Sequence, residues 1–154
     1  MSDALTPFYR RLAAQADGLF DGERHPVSNA ANLAALLYHE LDRVNWVGFY
    51  FLEGDTLKVG PFQGLPACTT IPLGRGVCGT AAERREVLRV DDVHRFDGHI
   101  VCDAASNSEL VVPLLRDGKV IGVLDLDSPE FGRFTPEDQA GLEHIAGRYL
   151  ASLG

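Results

Sequence analysis

Three cysteines are the residues of this sequence that offer the most distinctive chemistry. Cys68, Cys78 and Cys102 are an odd number of thiols in a chain of 154 residues, which is long enough to bury a core without disulfide bonds. The N-terminal residues lack the charged and apolar regions of a signal peptide, so we expect a cytosolic protein whose thiols stay reduced. The cysteines are therefore expected to serve packing, metal binding or redox chemistry.

A metal site built from these cysteines finds no support in their spacing. The sequence contains no C-x-x-C pair, which excludes the usual patterns of zinc ribbons and thioredoxin-like proteins and of zinc deaminases. The remaining alternative is a site that combines the three cysteines with His94 or His99. Since no spacing favours that site, the sequence predicts no metal ion.

The surroundings of each cysteine indicate how accessible its thiol is. Cys78 begins a predicted helix at 76–85, where it is either a thiolate favoured by the helix N-terminus or a buried structural thiol. Cys102 lies in a predicted loop over 91–108, and a loop this long inside a domain is usually functional. Cys68 follows the loop-like segment Gly64-Leu65-Pro66. Two loop cysteines that can approach each other on oxidation favour redox chemistry.

A second group of reactive side chains is predicted around a β-hairpin near the C-terminus. The hairpin turns at Asp117-Gly118, and its pairing places Glu109 beside Asp125 or Asp127, which share one strand face. Three carboxylates at one end of a sheet form either a solvated acidic edge or a buried group. If they are buried, they cannot all ionise, and at least one has a raised pKa. Such a carboxyl group can donate a proton near neutral pH.

The strand predicted over 45–52 carries two aromatic residues on the face opposite the core. Because side chains alternate along a strand, Trp46, Gly48 and Tyr50 share one face, while Val47 and its alternate neighbours face the core. Two rings around a glycine predict a notch that holds a small apolar group. The alternative is that both rings pack beneath a helix or a loop.

Composition and charge exclude several classes of partner. The sequence has 14 Lys and Arg against 22 Asp and Glu, a net charge of −8, which argues against nucleic acid and against an anionic membrane surface. An apolar content of 45% excludes a disordered chain, and no apolar run approaches the roughly 18 residues of a membrane-spanning helix. Gly74-Arg75-Gly76 lacks the third glycine of a dinucleotide-binding loop. We expect one domain over 1–154.

The order of the predicted elements indicates an α+β fold. Two helices precede a β-hairpin, two short strands separated by a helix, a loop, a second hairpin and a final helix. Hairpins pair their strands antiparallel, which excludes a doubly wound parallel sheet. The helices are predicted at 4–20, from a cap at Ser28 or Asn29 through Val44, at 76–85 and from Thr135, and the strands at 45–52, 57–62, 68–73, 87–90, 109–115 and 119–127.

Six segments carry motifs that belong together. They are 45–50 (NWVGFY), 60–64 (GPFQG), 66–69 (PACT), 74–80 (GRGVCGT), 97–109 (DGHIVCDAASNSE) and 122–128 (GVLDLDS). Together they resemble the free methionine-(R)-sulfoxide reductases, which are single-domain enzymes of the GAF fold. The resemblance runs from the second helix to the last, and all three cysteines stand at the family's spacing. It is specific, because general GAF domains lack this set of cysteines.

The resemblance implies a fold, an activity and a set of site residues. The fold is a central antiparallel sheet with the first and last helices on one side and a loop-covered ligand pocket on the other. The activity is reduction of the R epimer of free, not peptide-bound, methionine sulfoxide, without a cofactor and with thioredoxin as external reductant. The implied site residues are the attacking Cys102, the resolving Cys68, the auxiliary Cys78, the pocket aromatics Trp46 and Tyr50, and the acidic Glu109, Asp125 and Asp127.

The family's chemistry implies an order of events at these residues. The Cys102 thiolate attacks the sulfoxide sulfur, and a neutral carboxyl of Glu109 or Asp127 protonates the oxygen. The sulfenic acid left on the attacking cysteine condenses with Cys68 to a disulfide, which thioredoxin reduces by exchange. The other carboxylates hold the substrate ammonium, and backbone N–H groups near the attacking cysteine hold the substrate carboxylate.

One position departs from the family, and one alternative function stays open. Many members carry a basic residue where this sequence has Thr70, which puts an ion pair there in question. The family fold also allows for a homodimer. A non-catalytic GAF sensor of a small molecule, or a dimerisation module, is the alternative to the enzyme.

Overall fold

The chain alternates helices and hairpins as the sequence predicts. The helices are α1 (Pro7–Phe20), α2 (Pro26–Glu40), α3 (Gly76–Arg84) and α4 (Pro136–Ser152), and the strands are β1 (Trp46–Glu53), β2 (Thr56–Gly64), β3 (Thr70–Pro72), β4 (Leu88–Val90), β5 (Ser108–Arg116) and β6 (Lys119–Ser128). The computed structural model describes residues 5–98 and 105–154. In it, the strands form one antiparallel sheet in the order β3-β2-β1-β6-β5-β4. The α+β prediction is confirmed.

The start of α2 differs from the prediction because a histidine caps the helix. Neither Ser28 nor Asn29 is the cap. Instead, His25 Nδ1 accepts hydrogen bonds from the backbone N–H groups of Val27 and Ser28, at 3.2 and 3.4 Å. Pro26 follows at the first helical position, where its missing N–H needs no partner. An imidazole nitrogen here replaces the side-chain oxygen that usually caps a helix, so residue preferences alone pointed to the wrong residue.

Three other predicted boundaries are also shifted. α1 begins at Pro7 after a Thr6 cap. α2 ends before Leu41, whose backbone is extended, so Val44 lies outside the helix. β3 is shorter than the predicted strand over 68–73 and leaves Cys68 in the preceding loop.

Of the helices in the described ranges, none combines the length and the apolar character that crossing a membrane requires.

Two hydrophobic clusters lie on opposite faces of the sheet. Helices α1, α2 and α4 pack on one face, and α3 packs on the other. The alternation predicted along β1 is confirmed, because Val47 and Phe49 are buried in the first cluster while Trp46 and Tyr50 belong to the second. The sheet thus separates a core built on three helices from a face on which a site can form.

The register of the sheet brings the three predicted carboxylates together. Glu109 of β5 pairs with Asp127 of β6, and Asp125 lies on the same face two residues earlier. On the other side of β6, Trp46 pairs with Asp127 and Gly48 with Asp125. The predicted neighbourhood of Glu109 and the two aspartates is confirmed, and the sheet adds the aromatic strand as their neighbour.

Gly141 of α4 lies against Tyr9 of α1 in a tight helix contact. A Cβ at this position would clash with the tyrosine ring, which is held in place because its hydroxyl donates to Asp138 at 2.6 Å. We expect Gly141→Ala to lower the free energy of unfolding by about 1–3 kcal/mol, as overpacking does.

Gly147 in the same helix provides the matched control. A Cβ there has no atom within 4 Å, so Gly147→Ala should raise the free energy of unfolding by roughly 0.5–1 kcal/mol through helix propensity. Urea denaturation of both variants measures the two effects. Stabilisation of equal size at both positions would show that the contact with Tyr9 is not tight.

Candidate active site

A cavity of about 60 Å³ opens on the α3 face of the sheet. Since about 10–15 Å³ holds one water molecule, the cavity suits a small molecule and not a macromolecular partner. It combines an acidic wall, an aromatic wall and the start of α3. The described lining residues are Trp46, Tyr50, Pro66, Ala67, Ile71, Arg75, Gly76, Val77, Cys78, Val93, Ser106, Glu109, Asp125 and Asp127.

The acidic wall brings together three elements that are distant in sequence. Sγ of Cys78 and one carboxylate oxygen each of Glu109 and Asp125 lie within 4.8 Å of one another. The Cys78 thiol donates to Glu109 Oε2 at 3.8 Å. Glu109 and Asp125 are only 9% and 4% exposed. Glu109 and Asp125 therefore form a buried pair with Asp127 partly buried beside them, and not the solvated acidic edge that was the alternative.

Burial and mutual repulsion keep protons on this group. Burial raises the pKa of Glu109 well above its ordinary value, and the nearby charge of Asp125 raises it further. Burial and then the negative charge of Asp127 raise the pKa of Asp125 to about 8. The prediction that at least one of these carboxyls has a raised pKa is confirmed. The cavity thus presents a protonated carboxyl group at neutral pH.

One oxygen of the acidic wall lacks a protein partner. Asp125 Oδ1 is buried and accepts no hydrogen bond from any described residue. A buried carboxylate oxygen without a donor is unfavourable unless a ligand supplies one. This oxygen can therefore receive a donor from a molecule in the cavity. A cation there would also favour the ionised form of Asp125.

Cys78 is a buried thiol and not a thiolate. Burial, followed by the charges of Asp125 and Glu109, raises its pKa well above the ordinary value. Of the two interpretations of its position at a helix start, the structural thiol is the one that the structure supports.

The donor set of Cys78, Glu109 and Asp125 could hold a metal ion, because zinc takes sulfur and carboxylate ligands. It differs from the set considered from sequence, since His94 lies on the surface with Nε2 2.9 Å from Asn107 Oδ1.

The aromatic wall differs from the predicted notch. A Cβ on Gly48 would clash with Cβ of Phe62 and lie 2.6 Å from the Trp46 ring, so the Trp46 ring and the Phe62 backbone and Cβ fill the space above the glycine. Trp46 stacks on Phe62 and on Tyr50, with ring centroids 5.2 and 5.8 Å apart. Its indole N–H donates to the Leu65 carbonyl at 3.0 Å. The prediction of an open gap above the glycine is wrong, because the Trp46 ring and Phe62 of β2 occupy it, and the cavity is lined by Trp46 and Tyr50.

Cys68 lies at the edge of the described site. Cys68 is partly buried against the second hydrophobic cluster and is disulfide-bonded. The two residues before it, Pro66 and Ala67, line the cavity. Cys102, His99 and the backbone predicted to bind the substrate carboxylate fall in 99–104, outside the described residues, so their roles stay predictions.

Sequence reasoning missed several residues of this cavity. Arg75 lines it from a segment that matches a family motif but lacks the third glycine of a dinucleotide loop, and the sequence assigned this arginine no role, although a single cation beside a helix start is visible there. Ser106 also lines it and donates to Asn45 Oδ1 at 3.4 Å. At the departure from the family, Lys58 of the neighbouring strand donates to Thr70 Oγ1 at 2.8 Å, so a cation is present there on a different strand.

The fold and the site are those of a GAF-domain protein, since residues 17–151 match the family model described as the GAF domain. The free methionine-R-sulfoxide reductase of Escherichia coli (strain K12) is 55% identical over 143 residues, which cover 93% of this chain and 87% of that protein. The protein of the same name in Saccharomyces cerevisiae is 42% identical over 144 residues, with 88% and 80% covered. The structure of fRMsr of Staphylococcus aureus in complex with substrate matches with a TM-score of 0.91 at 49% identity, covering 95% of both chains. The chain belongs to the free methionine-(R)-sulfoxide reductase family, which confirms the resemblance seen in the sequence.

Proposed function

We propose that this chain reduces the R epimer of free methionine sulfoxide to methionine. The observation that carries the proposal is the buried carboxyl group of Glu109, whose raised pKa makes it a proton donor inside a small-molecule cavity. The sulfoxide oxygen leaves sulfur only when it is protonated, so the reaction needs such an acid. The relatives that carry this activity in their names support the same conclusion.

The first half of the reaction reduces the substrate. The Cys102 thiolate attacks the sulfoxide sulfur, and Glu109 protonates the oxygen as a bond forms between the two sulfur atoms. The oxygen then moves to the cysteine as the hydroxyl of a sulfenic acid, and methionine leaves with the electron pair. Two electrons pass from the cysteine sulfur to the substrate sulfur, so the oxidation of Cys102 to a sulfenic acid balances the reduction of the sulfoxide to a thioether.

The second half restores the enzyme. The Cys68 thiol attacks the sulfenic acid, which forms a disulfide and releases water. A dithiol protein, which we propose to be thioredoxin, then reduces the disulfide by two exchange steps, supplies two electrons and leaves as a disulfide itself. No bound cofactor takes part in this scheme. It suits a reducing cytosol, and it needs no second subunit, although a homodimer remains compatible with it.

The rest of the acidic wall is proposed to bind the substrate ammonium. Asp125 Oδ1 lacks a donor among the described residues, and a protonated amine supplies donors and a compensating charge. Asp127 lies beside Asp125 on the same strand face, and its negative charge also attracts the ammonium. The aromatic wall of Trp46 and Tyr50 then contacts the substrate methyl group through apolar surface.

The direct experiment incubates the protein with each epimer of free methionine sulfoxide and a dithiol. We expect methionine from the R epimer and none above background from the S epimer, measured by chromatography of the amino acids. Peptide-bound methionine sulfoxide is the negative control. Absence of methionine from the R epimer would reject the enzyme, and tight binding without turnover would instead indicate a sensor.

A further inference from the structure

Arg75 stands out among the residues of the cavity. It lines the cavity and immediately precedes α3, yet its side chain makes no capping hydrogen bond to that helix. The side chain also makes no hydrogen bond or ion pair with another described residue, and only the backbone of Arg75 is hydrogen-bonded, to Pro72 and Gly79. The side chain is exposed, so its guanidinium is available to a ligand.

The cavity has an uneven distribution of charge. Its acidic wall carries Glu109, Asp125 and Asp127, and Arg75 is the only cationic side chain among its described lining residues. A free amino acid is a zwitterion with an ammonium and a carboxylate on one carbon. If the acidic wall binds the ammonium, the carboxylate needs a donor of opposite charge elsewhere in the cavity. A guanidinium suits this task, because it binds a carboxylate through two parallel hydrogen bonds.

We propose that Arg75 binds the α-carboxylate of the substrate and thereby selects free amino acid over peptide-bound residue. This inference rests on the proposed function and adds a specificity residue to it. In a peptide the carboxylate is replaced by a neutral amide, which cannot form a charged pair with arginine. The pairing lies away from the reacting sulfur, so it contributes to binding more than to the chemical step.

The test compares two substrates and three variants. The substrates are free methionine (R)-sulfoxide and its carboxamide, which keeps the ammonium and loses the negative charge. Arg75→Met keeps the length of the side chain and removes the charge, and Arg75→Lys keeps the charge without the paired donors. Arg84→Met is the matched control, because Arg84 is an exposed arginine of α3 that does not line the cavity.

We expect a specific loss of discrimination. Arg75→Met should lower kcat/KM for the free amino acid roughly 10- to 100-fold, the range of a hydrogen bond to a charged group, mainly through KM. It should leave the carboxamide nearly unchanged. Arg75→Lys should recover part of the preference, and Arg84→Met should behave as the wild type with both substrates.

Several outcomes would overturn the inference without touching the proposed function. If Arg75→Met still prefers the free amino acid as the wild type does, another group, such as backbone N–H near Cys102, binds the carboxylate. An equal loss with both substrates would show a structural role. Calorimetric binding of methionine and methioninamide to the same variants tests carboxylate recognition without turnover. If the wild type binds methionine more tightly than methioninamide but turns over no sulfoxide, the proposed reaction is rejected while the role of Arg75 in carboxylate binding stands.

Discussion

Cys102→Ser is expected to abolish methionine formation even in the first turnover, whereas Cys68→Ser is expected to release a single methionine per chain and then stop. A serine hydroxyl is not ionised at neutral pH and does not attack the sulfoxide sulfur, so the first variant cannot begin. In the second variant the attacking thiol is intact, but its sulfenic acid has no partner thiol. Rapid quench with excess substrate and no reductant measures the yield per chain. Addition of thioredoxin and its reductase then measures recycling.

Cys78→Ser is the control that removes a cysteine thiol without removing the attacking or the resolving cysteine. Because Cys78 is buried with a raised pKa, it is a poor nucleophile, and we expect this variant to keep both the first turnover and recycling at a reduced rate. One methionine per chain from Cys102→Ser would show that another cysteine attacks. Normal recycling by Cys68→Ser would remove Cys68 from the resolving role.

Glu109→Gln is expected to lower kcat by about 10²- to 10⁴-fold, the usual contribution of a positioned general acid. The amide is nearly isosteric and keeps a hydrogen-bond acceptor for Cys78, so the fold should survive, but it cannot give up a proton. Steady-state formation of methionine with saturating dithiol measures the effect. Glu143→Gln on the exposed part of α4 makes the same chemical change outside the cavity and should have no effect.

The pH profile gives a second readout of the same acid. Because the pKa of Glu109 is raised, its protonated, active form persists through neutral pH and is lost as pH rises through that raised value. The rate should therefore fall on the alkaline side, while deprotonation of the attacking thiol governs the acid side. In Glu109→Gln the alkaline fall should disappear. If Asp127→Asn removes it and Glu109→Gln does not, Asp127 is the acid instead.

Local pattern in the sequence was enough to place the strands and to decide which side chains share a face. The period of two along β1 separated Trp46 and Tyr50 from the core residues between them. The short turn of the β5–β6 hairpin limited the register, which placed Glu109 beside Asp125 or Asp127, and the structure selected Asp127. Such features depend on the geometry of one strand or one hairpin, so a single sequence contains them. The family motifs added the expected activity.

Only the tertiary structure decided how the site is enclosed and charged. The Trp46 ring and Phe62 fill the predicted notch because β2 pairs Phe62 with Gly48, and Arg75 reaches the cavity because α3 begins beside it. The raised pKa values of Glu109 and Asp125 arise from burial under α3 and from distances between different elements. Desolvation and charge repulsion depend on what surrounds a group in space and not on its neighbours in the chain. The sequence therefore determined that the three carboxylates and the two aromatic residues lie near one another, and packing determined that the pKa values of Glu109 and Asp125 are raised.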